Sequence, residues 1–329
     1  NVTCVGNCQI PANYEVYSQA GGIVIPGLIE SSTQLGLVEI QAEVETGDGY
    51  SAGIIAGQPV FAKDGIRVQS RTVTAAWRDG VTTSVSHRTS SSVVGGVSSA
   101  FYTNGVVVSD SLVQSTSAIQ VNLGSEAASD ITSVSAQIAF IRTQLQRAQT
   151  QVTDLNSADP WVQLVQNKIP MVALAHQADD IGHLLELQQA FNFRLIIVGG
   201  AEAHLVADRL QRQLVSVVLT PYAEGNEPMQ LWSTLRTAND FYAEKLRQAG
   251  VRIAVGTGSL YDARNLRWIA GLISSVGAGS VPEIDAIAAV TKNVADMFEL
   301  NRAAPGTGRI QVGTRANFVL FDGHPLTFE

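Results

Sequence analysis

From about Ile169 onward, short apolar runs alternate with longer stretches of helical period. "IPMVALA" precedes "ADDIGHLLELQQAF", in which Ile181, Leu184, Leu185 and Gln188 follow the i, i+3, i+4, i+7 spacing, the last position being polar. "RLIIVGG" precedes "AEAHLVADRLQRQ", "VSVVLTP" precedes a long helix through "LWSTLRTANDFYAEKLRQAG", and "VRIAVGTGS" precedes "ARNLRWIAGLISS". Strands apolar at every position are buried on both faces, which marks a parallel sheet, and intervening helices of this length are the crossovers that parallel neighbours require.

Upstream, "GIVIPGLI", "VTTSVSH" (Val81 to His87) and "SAIQVNLG" (Ser117 to Gly124) fit three more strands, with "SRTVTAAWRDG" reading as a helix before the second. Six or seven strands predict an α/β fold near the eight of a (β/α)8 TIM-like barrel, with an open doubly wound sheet as the alternative. Residues 86–135 are rich in Ser, Gly and Val and read as barrel elements joined by long small-residue loops. At the ends, "VTCVG" and "GRIQVGTRANFVLFDG" read as short β segments, the second with a hairpin turn at Val312 to Arg315. They could pair into a small β subdomain.

The 329 residues are 45% hydrophobic, enough for a sizeable core. Twenty-one basic against 29 acidic residues give a net charge of −8 without any basic run, which argues against a nucleic-acid partner. No apolar stretch approaches the ~20 residues of a membrane span. Cys4 and Cys8 can close a small disulfide in an oxidising compartment; two free thiols are the alternative, and a zinc site needs more ligands. The sequon "NVT" beside them tilts the expectation towards a secreted or periplasmic protein; no signal peptide is in view, and the abrupt start inside a strand-like run leads to the expectation that upstream residues were removed or not included.

"GGIVIPGLIESST", "AAWRDGVTTSV", "GGAEAHLVAD" and "GTGRIQVGTRANFVLFDGHPL" resemble, in order, landmarks of the amidohydrolase superfamily, and among its members the imidazolonepropionase-like amidohydrolases. The resemblance covers nearly the whole chain. It implies a barrel over residues 21–303 and a β subdomain shared between residues 1–20 and 304–329, with "VTCVG" as the last strand of the N-terminal part. Homo-oligomers also occur in the family.

In that family the first strand ends in Pro-Gly-x-x-Asp-x-His-x-His, whose histidines bind the catalytic metal; here the pattern reaches Ser32 and Gln34. Gly258 stands where the last strand carries a ligand aspartate, and Gly199 with Gly200 where the sixth strand ends in a ligand histidine. His176 alone matches a ligand position. No metal and no other cofactor is therefore expected.

The candidate catalytic residues are His176, Glu202 and His204, with Gly199, Gly200 and Arg264 as candidate contacts to a small-molecule substrate. Each has a structural reading beside the functional one: a hydrogen-bonded histidine, a helix-start glutamate, a paired arginine. Asp179 and Asp180 read as helix caps, the acidic loop Glu39, Glu43, Glu45 and Asp48 as solvated, and His87 as a weak candidate at a strand end. Two functions follow. One is a hydrolase on cyclic amide, peptide-like or acetylated sugar substrates with an atypical site; the other is a non-catalytic barrel kept for binding or assembly.

Overall fold

The computed structural model describes residues 1–49, 53–55, 57–88, 92–127, 131–220, 242–275 and 281–327. Among them twelve strands form: β1 (Ile23–Pro26), β2 (Leu28–Glu30), β3 (Ile54–Ile55), β4 (Gln58–Pro59), β5 (Val81–Ser86), β6 (Val94–Tyr102), β7 (Leu112–Asn122), β8 (Met171–Ala175), β9 (Leu195–Gly199), β10 (Ser216–Leu219), β11 (Ile253–Val255) and β12 (Phe318–Phe321). Eight of these make one curled sheet in the order β2-β5-β6-β7-β8-β9-β10-β11.

The apolar strands β8 and β9 lie parallel to each other and, with β10 and β11, are buried almost throughout, as their composition requires. Between β8 and β9 the helix Ala178–Phe191 packs Ile181, Leu184 and Leu185 into the core. It ends at Asn192 in the left-handed region (φ 52°), whose N–H donates to the Gln188 carbonyl. The predicted long helix before β11 is seen as Tyr242–Gln248; its earlier part lies outside the described residues.

The sheet departs from a regular (β/α)8 barrel in two places. First, β6 runs antiparallel to both β5 and β7. Only residues 87–93 separate β5 from β6, too few for the crossover that a parallel neighbour needs. Second, β2 and β11 share no backbone ladder, so the curl is joined across that seam by side chains.

Inside the curl, Ile29, Val85, Ala100, Ala118, Val172, Ile196, Val218 and Ala254 meet Val294, Met297, Phe298 and Leu300 from the segment between β11 and β12. A second, larger core lies between the sheet and its outer helices.

The chain ends meet. β1 pairs antiparallel with β12, and the Val2 N–H donates to the Thr314 carbonyl (2.8 Å) while the Gly313 N–H donates to Val2 (2.8 Å). "VTCVG" is nevertheless not a strand, and Val312 to Arg315 is a turn without the predicted hairpin, because the preceding "GRIQ" forms no ladder. Cys4 and Cys8 are disulfide-bonded with Cα atoms 6.0 Å apart. No described helix is long and apolar enough to cross a membrane.

Candidate functional site

The seam between β2 and β11 is built on Glu30, which is fully buried although it stands in a strand beside Leu28 and Ile29. Its Oε1 accepts from the Ser31 N–H (2.9 Å), the Ser32 N–H (2.8 Å) and the Ser32 hydroxyl (2.8 Å). Its Oε2 accepts from the Thr257 N–H (3.3 Å) and the Thr257 hydroxyl (3.0 Å). Ser32 Oγ in turn accepts from the Gly258 N–H at 2.9 Å. Burial pushes the Glu30 carboxyl above its ordinary range, and the hydrogen bonds from Ser32 and Thr257 act in the opposite direction.

Beside this clasp, His87 is buried between two partners. Its Nε2 lies 2.7 Å from the Ser31 carbonyl oxygen and its Nδ1 lies 2.7 Å from Ser98 Oγ. A carbonyl can only accept, so Nε2 carries the proton in the neutral ring and the Ser98 hydroxyl donates to Nδ1. Burial pushes the imidazole down to about 4, so it is neutral at physiological pH. The Phe298 ring, 5.9 Å away between centroids, covers its other side.

His176 follows β8 at the mouth, and the ring lies against Gly199, where any Cβ would collide with it. Gly199 also has φ 91°, a region that side-chain-bearing residues rarely enter. Gly199→Ala is therefore expected to displace the His176 ring and cost about 1–3 kcal/mol, read as a shift in the His176 imidazole NMR signals and a lowered melting temperature.

Glu202 is tied to His176 through the backbone, its N–H donating to the His176 carbonyl (2.9 Å). Its carboxylate, however, accepts from the Ala178 N–H (2.8 Å) and so caps the helix Ala178–Phe191. That cap was expected from Asp179 or Asp180; it comes instead from the following β–α unit. His204 stacks on Tyr242 with ring centroids 3.7 Å apart and planes 9° from parallel. The Gly200 N–H donates to the Ala175 carbonyl, so it is not offered to a ligand. Arg264 lies after β11 in the short 3-10 helix Ala263–Asn265, exposed beside a surface cleft. In the acidic loop, Asp48 pairs with the buried Arg88 (3.0 Å).

Two of the positions that the sequence resemblance would give to metal ligands are thus joined directly, Ser32 to the Gly258 amide. A hydroxyl already engaged by a carboxylate and an amide is a poor ligand, and glycine offers no side chain. Among the described residues no three His, Cys, Asp or Glu side chains lie together to share an ion.

No protein-family profile matches the chain. The amidohydrolase tasK of Hapsidospora irregularis is 30% identical over 132 residues, which is 39% of this chain and only 13% of that protein. An amidohydrolase from Thermotoga maritima superposes with a TM-score of 0.83 at 22% identity, over 98% of this chain and 88% of that one. A beta-aspartyl dipeptidase from Fervidobacterium islandicum superposes with a TM-score of 0.55 at 12% identity, over 97% and 85% of the two chains. The fold is shared with these amidohydrolase structures, in keeping with the resemblance of the sequence landmarks at the level of the superfamily.

Proposed function

We propose that the chain is an amidohydrolase-type protein of the class acting on non-peptide carbon–nitrogen bonds, whose mouth has exchanged the metal-ligand set for a hydrogen-bonded clasp. The observation that carries this reading is the Ser32–Gly258 hydrogen bond, which joins two positions that the family would bridge with an ion. With Glu202 engaged as a helix cap and His204 stacked on Tyr242, proton transfer falls to His176. The Cys4–Cys8 disulfide supports an oxidising compartment, secreted or periplasmic.

Two measurements test the two halves of this reading separately. Elemental analysis after dialysis against metal-free buffer is expected to find no retained zinc, manganese or iron; near one equivalent would overturn the clasp. Hydrolysis of a panel of cyclic and N-acyl amides by the same metal-free protein is expected, with kcat lowered about 100-fold in His176→Ala. Absence of turnover on every amide would overturn the hydrolase assignment.

A further inference from the structure

We infer that the cleft between the first and last barrel strands binds a small organic monoanion through a carboxylate held by Arg71 and Arg264. The cleft has a volume of ≈ 540 Å³, within the range of small-molecule sites. Its walls come from the loop after β2 (Glu39, Ile40), the helix Arg71–Arg78, and the segment after β11 (Leu260, Tyr261, Arg264). Both loops leave the C-terminal ends of strands that run in the same direction, the face on which such barrels carry their ligands.

The charge in this cleft is the reverse of the chain's. The whole sequence carries −8, yet two arginines line the cleft against one carboxylate, Glu39. Neither guanidinium forms an ion pair or a side-chain hydrogen bond with any described residue. Glu39 is already engaged, its Oε1 accepting from the Arg71 N–H at 3.1 Å. The Tyr261 hydroxyl accepts from the Gln41 N–H at 2.6 Å, which braces the loop after β2 against the segment after β11 and leaves the phenolic proton to donate to a ligand. Planar guanidinium forks match a carboxylate, while Ile40, Ala75 and Leu260 offer contact to an apolar body. The surplus of one positive charge selects a monoanion.

This inference is independent of turnover, because it is read as binding alone. Isothermal titration calorimetry with 4-methylpentanoate is expected to give saturable binding, with none for the neutral 4-methylpentanamide. Arg71→Gln and Arg264→Gln should each weaken it about tenfold, while Arg212→Gln, an exposed arginine outside the cleft, should leave it unchanged. The inference is overturned by unsaturable binding, by equal affinity for the amide, or by either cleft variant behaving as wild type. Binding of inorganic phosphate as tight as that of the carboxylate would overturn the assignment of an organic monoanion.

Discussion

Glu30→Ala is expected to lower the stability of the fold by about 3 kcal/mol, seen as a drop of roughly 6–12 °C in melting temperature. The loss comes from the donors rather than from the glutamate. Ser31, Ser32 and Thr257 present five N–H and O–H groups to one carboxylate, and deleting it leaves them facing a buried void. Glu30→Gln keeps one acceptor oxygen and turns an amide donor onto the remaining donors, so its cost should be intermediate. Ser32→Ala removes only the link to Gly258 and one bond to Glu30, and about 1–2 kcal/mol is expected. A Glu30→Ala protein melting within a degree of wild type would show that β2 and β11 are held together by packing instead.

The second large effect is loss of stability in acid through His87. In the fold its pKa is pushed down to about 4, while the unfolded chain takes up the same proton near 6.5. The unfolded state therefore binds more protons between these values, and stability falls as pH drops through that window. The full contribution is present above about pH 6.5, and about 3 kcal/mol is lost by the time the ring is protonated near pH 4. Glu30 has the opposite sign: its raised pKa gives a contribution that is complete below its ordinary 4.5 and is lost as pH rises. Urea titrations of wild type and His87→Gln at a series of pH values separate the two. The wild-type minus variant difference should shrink between pH 6.5 and pH 4, and a difference independent of pH would mean that the buried imidazole is not what acid attacks.

The parts of this architecture that could be read from the sequence are those whose burial shows in composition. "MVALA" and "LIIVG" are apolar on both faces because both faces are covered, so β8 and β9 were legible without any structure. By contrast, β6 ("VGGVSSAFY") is also buried at every position, but its small and hydroxylated residues carry no such signature. Its serines are accommodated by specific partners, Ser98 by His87 and Ser99 by the Ser115 carbonyl, and those partners cannot be inferred from pattern. Glu30 could have been singled out, because it occupies the aspartate position of the Pro-Gly-x-x-Asp landmark and is the one charge in an apolar strand. Its role depends on Thr257, however, 227 residues away. Glu202 illustrates the same limit, since a helix-start glutamate is read as serving its own helix, whereas here it serves the preceding one.

The antiparallel placement of β6 also bears on the order in which the molecule assembles. The β5–β6–β7 meander joins neighbours in sequence and can form early, from contacts that cost little loop entropy. The Glu30–Thr257 seam can close only after nearly the whole sheet has been laid down between them, so it is expected to form late and, being a handful of side-chain bonds without a ladder, to be the place where the native state opens first.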